Sequence, residues 1–243
     1  MQLGSKEVVL VILLFTGMGL SVLFRKLTVL GALTGGLLAL LIYLGAGFTG
    51  ISLMAAFFLL GTLATGHRMQ VKQVFKAAEK AGGRRDAIQV LSNAGMPALF
   101  GLLAFSFPQH SATFRLLLAT SFSSATADTL SSELGTVYGK KFYNIITFRP
   151  DRRGLDGVVS IEGSFIGLLG SIIMALIYSF GFGWGLFLLW IIIGGTIGNW
   201  ADSLLGATLQ RRRLLSNSGV NLLNTIIAAL AALLLSALEK MES

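Results

Sequence analysis

Apolar residues run through this chain in long blocks, and the polar residues fall in the gaps between them. A helix that crosses a bilayer needs roughly 20 apolar residues. Val8 to Phe24 is one such block. Leu27 to Gly66 contains no Asp, Glu, Lys or Arg and is about twice that length, so it is predicted to fold as two spans with a turn near GAGFTG, residues 45–50. Ala87 to Phe107 is a fourth block and Ser111 to Tyr138 a fifth. Val158 to Phe180 is a sixth, closed by the turn GFG. Trp184 to Ala207 and Val220 to Leu238 are the seventh and eighth. The pattern predicts an all-α membrane protein, a polytopic bundle of about eight transmembrane helices forming a single domain over 1–243. The N-terminal spans cover 8–107 and a motif-bearing half covers 111–238. The longest polar interruption, 67–86, reads as a short amphipathic helix with Val71, Val74, Phe75 and Ala78 on one face.

Composition agrees with this pattern. The chain is 54% hydrophobic and 12% charged, against about 25% charged in soluble domains. It has no cysteine, which excludes disulfides and thiolate metal sites. Two histidines, His67 and His110, leave no cluster for zinc. The net charge of +8 would suit nucleic acid, but the basic residues occupy the gaps between apolar blocks, so no nucleic-acid partner is expected. The gaps after spans one, three, five and seven hold 16 of the 19 lysines and arginines, leaving only Lys6, Arg115 and Lys240 elsewhere. Cytoplasmic loops are rich in Lys and Arg. Those gaps are therefore expected in the cytoplasm, with both termini on the other side, in a bacterial cytoplasmic (inner) membrane. The first block lacks a small-residue cleavage site and reads as a retained helix.

Carboxylates at membrane depth are costly and so mark function. The stretch SSATADTLSSELG, 123–135, puts Asp128 and Glu133 in the basic-facing half of span five. Glu162 enters span six about one turn deep, and Asp202 lies near the corresponding end of span seven. Ser124, Asp128 and Ser132 share one helix face, and Thr126, Thr129 and Glu133 another. Asp128 and Glu133 are about 140° apart around an ideal helix, so their meeting on one ion calls for a break or bulge near Thr129 to Ser132. Gly198, Asp202 and Gly206 line up in span seven, beside Gly195 and Asn199, while Asn217, Asn221 and Asn224 recur on one face of span eight. Asn93 stands alone in span four. The loop 140–157 contributes Lys140, Lys141, Arg149, Arg152 and Arg153, together with Asp151 and Asp156. Acids beside a basic loop suggest Mg²⁺ held by Asp128, Glu133 and Asp202 against phosphates clamped by Lys and Arg. No Walker-type GxxxxGK[ST] or kinase HRD and DFG motif is present, which excludes the standard nucleotide folds.

Four motifs in fixed order carry a resemblance: ADTLSSELG (127–135), RGLDGVVSIEG (153–163), GTIGNWADSLLGATLQ (195–210) and NSGVNLLNT (217–225). Together they resemble the integral-membrane family known as domain of unknown function family 92. That family includes plant phytyl-phosphate kinase and the vertebrate transmembrane protein 19. Asp128, Thr129, Ser132, Glu133, Asp202, Gln210, Asn217 and Asn221 fall on its polar motif positions. Ala127 stands where the family often has Gly, and Leu155-Asp156-Gly157 where it often has Asn-Gly-Gly. The resemblance implies a membrane isoprenoid-phosphate kinase. It would transfer a phosphoryl group from a nucleoside triphosphate, CTP before ATP, to phytyl or polyprenyl monophosphate. Asp128, Glu133 and Asp202 would be catalytic. Lys140, Lys141, Arg149, Arg152, Arg153, Asp156, Asn217, Asn221 and Asn224 would hold nucleotide or phosphate. Ser124, Thr129, Ser132, Glu162, Asn199 and Gln210 would meet the lipid substrate, whose chain is expected among spans five to eight. Two alternatives stay open: a cytidylyltransferase forming a CDP-lipid, and an ion-coupled transporter. A homo-oligomer is compatible with either.

Overall fold

The computed structural model describes residues 4–74 and 84–242. Among them the helices are α1 (Ser5–Leu23), α2 (Val29–Gly66), α3 (Met69–Val74), α4 (Ala87–Ser106), α5 (Ser111–Tyr138), α6 (Ile161–Phe182), α7 (Phe187–Leu205) and α8 (Asn217–Glu242). A two-residue ribbon, β1 (Tyr143–Asn144) with β2 (Val158–Val159), closes the loop between α5 and α6. Six of the described helices are long and apolar enough to cross a membrane, α2 counting once.

The long block behind α2 does reverse. At Gly47 the backbone turns to φ 56°, ψ −148°, a left-handed value that glycine adopts without a side-chain clash. A straight helix would separate Gly35 from Met54 by roughly 28 Å, yet a Cβ at Gly35 would touch the Met54 methyl at 4.0 Å. The two arms, 29–46 and 48–66, therefore lie antiparallel. The break frees carbonyls at the end of the first arm, and Arg115 Nε donates to that of Gly45 at 2.8 Å. With both arms counted, and with α5, eight segments among the described residues have crossing length.

The first arm shows how the bundle meets lipid. Gly31, Ala32, Gly35, Gly36 and Ala39 turn inward, while Leu30, Leu33, Leu37, Leu40 and Leu44 are exposed at helical spacing. Small residues inside allow close helix approach, and the leucines outside present a continuous apolar surface. A methyl placed on Gly101 of α4 would stand 2.6 Å from the Leu41 carbonyl oxygen. Gly101→Val should accordingly force α2 and α4 apart and cost about 1–3 kcal/mol, read as a lower thermal unfolding midpoint in detergent.

α5 is the axis of the bundle, packed by α2, α4, α6, α7 and α8. Its composition is more polar than that of the six apolar helices, and the bundle shelters those polar groups in protein contacts and in the cavity described below. Leu116 through Asp128 are buried without interruption. The hydroxyls in that stretch join helices: Ser121 Oγ donates to the Thr225 carbonyl at 3.2 Å and Ser123 Oγ to that of Ile191 at 3.1 Å. α5 stays α-helical through Thr129 to Ser132, so the break expected there is absent. The irregularity lies instead in α7, whose end widens into a π-turn over Gly206–Gln210.

Contacts gather the described basic segments at one end. Leu27 bridges Arg85, His67 Nε2 meets the Tyr138 hydroxyl at 2.7 Å, Lys72 pairs with Glu133, and Arg211 pairs with Asp151 at 2.8 Å. The amphipathic helix expected over 67–86 is seen as α3; Phe75 and Ala78 lie outside the described residues. Its inward face differs from expectation. Val74 is 77% exposed, whereas Lys72 is fully buried. The reason is hydrogen bonding: the Lys72 ammonium donates to the carbonyls of Ala64 and Thr65, at 2.8 and 2.7 Å, and to Glu133. It thereby satisfies orphan acceptors at the C-terminus of α2.

Candidate functional site

Below the buried stretch of α5, its next turns open into a polar cavity of about 240 Å³. Asp128 and Asp202 both line it. Helix α5 fixes the first and α7 the second, and their carboxyls are within hydrogen-bonding reach of each other. Asp128 is only 8% exposed. The Asn224 amide donates to Asp202 Oδ1 at 2.8 Å, and Ser124 Oγ donates to the Asn224 amide oxygen at 3.2 Å. This chain from α5 through α8 sets the orientation of the α7 carboxylate. Ser132 Oγ lies 3.4 Å from Asp128 Oδ1. Gly198 permits the arrangement, since a methyl there would stand 2.8 Å from the Ala228 methyl and press on Ser124.

The rest of the lining is mostly amide and hydroxyl. Asn199 accepts from Ser131 Oγ at 2.9 Å. Asn221 donates to Asn93 at 3.4 Å, joining α8 to α4, and Gln210 reaches Asn217 at 3.5 Å. Asp156 enters from the loop before β2 and acts on Asp202 electrostatically. Burial pushes the Asp156 carboxyl up from its ordinary value, opposed by Arg211. Arg211 holds that loop in place, donating to the Asp156 carbonyl at 2.6 Å, and Gly157, at φ 70°, packs against Ala207 of the π-turn.

The sequence-predicted residues separate into three groups. Asp128, Thr129, Ser132, Glu133, Asp156, Asn199, Asp202, Gln210, Asn217 and Asn221 all line the cavity. Ser124 and Asn224 do not. They stand behind Asp202 and position it, so Ser124 is a buried strut and is not in contact with the cavity. The third group lies elsewhere. Lys140, Lys141, Arg149 and Arg152 are exposed on the loop. Arg153 donates to the Val137 carbonyl at 3.0 Å and stacks over Phe142. Glu162 accepts from the Lys140 backbone at 3.3 Å. Asp151 pairs with Arg211, which holds its carboxyl below the usual range. None of these side chains lines the cavity.

Glu133 reaches the cavity wall, but its carboxylate is engaged by Lys72. Among the described residues no three carboxylates or imidazoles converge as a metal cluster. Two acids meet where three were expected. Their setting nevertheless suits a hard divalent cation. Two carboxylates confined together repel by about 4 kcal/mol at 4 Å and an effective dielectric constant of 20, and Mg²⁺ is commonly held by one or two carboxylates plus substrate phosphates.

The sequence reading missed the cavity's α4 wall, formed by Arg85, Gln89 and Asn93. Their four-residue spacing was the available signal. Arg85 is set by backbone bonds to the α1–α2 turn, Arg85 N to the Lys26 carbonyl at 2.9 Å and Thr28 N to the Arg85 carbonyl at 3.0 Å. Its guanidinium lies 5.5 Å from the Phe57 ring centroid. Asp86 and Gln89 then form a reciprocal capping box that starts α4.

The model for the family described as integral membrane protein DUF92 matches residues 10–229. The chloroplast protein VTE6 of Arabidopsis thaliana is 32% identical over 237 residues, covering 92% of this chain and 69% of that protein. An uncharacterized membrane protein of Methanocaldococcus jannaschii is 33% identical over 207 residues, 84% of each chain. Another, from Synechocystis, is 33% identical over 202 residues, 81% of this chain and 77% of its own length. No solved structure matches the chain.

Proposed function

The chain belongs to the DUF92 family of integral membrane proteins, and on that footing we propose that it is a membrane phosphotransferase that converts an isoprenoid monophosphate to the diphosphate. The donor is a nucleoside triphosphate, CTP first. An oxygen of the lipid phosphate attacks the γ-phosphorus, the bond to the β-phosphate oxygen breaks, and nucleoside diphosphate leaves. The observation that carries this reading is the pair of neighbouring aspartates, Asp128 buried and Asp202 half-buried, in a cavity rich in amides and hydroxyls with Arg85 on its wall. The sequence resemblance to phytyl-phosphate kinase supports the same chemistry.

Asp128 and Asp202 would hold Mg²⁺, which when bound offsets phosphate charge. Asn224 and Ser124 keep the Asp202 carboxylate aimed. Asn199, Asn217, Asn221 and Gln210 offer donors and acceptors to phosphate or ribose oxygens, and Arg85 is the cation on the α4 wall. The acceptor is already anionic at neutral pH, so the site needs no strong general base, in keeping with a lining that contains no histidine. The exposed Lys140, Lys141, Arg149 and Arg152 raise the local concentration of nucleotide by long-range attraction. By the positive-inside rule the basic end, and with it the cavity mouth, faces the cytoplasm.

Purified protein with Mg²⁺, each nucleoside triphosphate in turn, and phytyl, geranylgeranyl or farnesyl monophosphate tests the proposal. Lipid diphosphate and nucleoside diphosphate should form in equal amounts. CDP-lipid with pyrophosphate would instead mark a cytidylyltransferase, and no product with any pair would overturn the reading.

A further inference from the structure

A second, larger space of about 530 Å³ lies between α1, the two arms of α2, and α4. Its walls are apolar, with Leu13, Met18, Ala39, Met54 and Phe58 among them. It shares Arg85, Gln89 and Asn93 with the polar cavity, so the two spaces meet at the start of α4. Lys26 stands at the same end. We propose that this groove receives the hydrocarbon tail of the lipid substrate, with its phosphate at Arg85 and beside the aspartate pair.

The dimensions and charge select the occupant. From Leu13 to Phe24 the α1 wall rises about 16 Å, roughly half of a 30 Å hydrocarbon core. A tail lying there stays within one leaflet, and its head arrives at the polar cavity. The cations sit at the head end only, which is the charge pattern of a single-chain amphiphile with an anionic head. Entry is through the α1 side: α1 buries only Leu10 and Ser21 and is the most lightly held of the spans. The interface of α5 with α7 and α8 offers less room. There Gly194, Gly195 and Gly198 meet Thr120, Ser123 and Ser124 at close range, and a methyl on Gly194 would stand 3.0 Å from the Ala228 carbonyl. The tail therefore belongs on the α1–α2–α4 side, and not among α5 to α8 as the sequence had led us to expect. This inference rests on reading the polar cavity as the site for an isoprenoid phosphate.

The groove can be filled without disturbing the backbone. A Cβ at Gly35 would meet only ordinary contacts, Val90 at 3.8 Å and Met54 at 4.0 Å, and one at Gly17 would meet nothing within 4 Å. Binding is measured without nucleotide, in nanodiscs, for geranylgeranyl monophosphate, geranylgeraniol and dimethylallyl monophosphate. For Gly35→Leu and, independently, Gly17→Phe, the preference for geranylgeranyl over dimethylallyl phosphate should fall about tenfold, as for one or two displaced methylenes. Arg85→Gln should instead reduce the preference for the phosphate over the alcohol. An unchanged chain-length preference in both glycine variants would overturn the proposal, as would equal displacement of the probe by ordinary bilayer phospholipid. The binding readout separates the two readings. Chain-length preference that responds to Gly35 and Gly17 in a protein that turns over no nucleotide would leave the groove standing and remove the kinase. Turnover with a chain-length preference blind to both variants would do the reverse.

Discussion

Asp202→Asn should reduce formation of lipid diphosphate by about 1,000-fold or more while leaving the protein folded. The size follows from the role. Removing one preorganised group that acts on developing charge typically costs 10²–10³ in rate, and here the same change also removes one of the two carboxylates that would hold the cation. Asp128→Asn should do the same, and the double variant should be little worse than either single one, because the two act as a unit. Asn224→Ala touches the site only through Asp202, so its loss should be smaller, about 10–100-fold. Stability should move the other way. Two confined carboxylates repel, and replacing one by its amide removes that repulsion, so the unfolding midpoint in detergent should hold or rise. Full turnover by Asp202→Asn would remove the pair from the chemistry. A collapse of folding in both asparagine variants would make the pair structural.

The second large effect concerns Lys72. Its ammonium is fully buried and donates to two carbonyls ending α2 and to Glu133, whose side chain is 13% exposed. Removing one partner of a buried ion pair leaves an uncompensated charge and costs about 3–5 kcal/mol. Lys72→Met should therefore be strongly destabilising in thermal or denaturant unfolding. Adding Glu133→Gln should recover a large part of the loss, since the orphaned carboxylate is then gone. Glu133→Gln alone separates the two roles this acid could have. If Glu133 serves chiefly to pair with Lys72, turnover survives the change. If it is a third metal ligand, turnover falls as it does for Asp202→Asn.

These two predictions differ from what the sequence alone would have suggested. Spacing placed Asp128 and Glu133 in one motif and asked how two residues 140° apart could reach one ion. α5 remains regular, and each acid finds its own partner, Asp202 from α7 and Lys72 from α3. The basic loop 140–157 was conspicuous because charge clusters are visible in a linear reading. None of Lys140, Lys141, Arg149 and Arg152 lines the cavity, whereas Arg85, from the less conspicuous segment before α4, does. Asn93 looked solitary because its partners, Gln89 and Asn221, are one turn and 128 residues away.

The sequence by itself determined the all-helical membrane class, the order of the spans, the reversal inside the long second block and the gathering of basic segments at one end. It also picked out Asp128 and Asp202 as acids needing a reason to be buried. Hydropathy, charge and helical spacing are local properties, and a carboxylate at membrane depth is costly enough to be noticed from its residue type and its position in the span. Which side chain meets which was decided only in three dimensions. Partner choice depends on how far each helix is rotated about its own axis and how closely it approaches the next. Those quantities are fixed by small residues from distant segments, such as Gly198 against Ser124 and Ala228, and Gly101 against Leu41. No residue's own neighbours in the chain encode them.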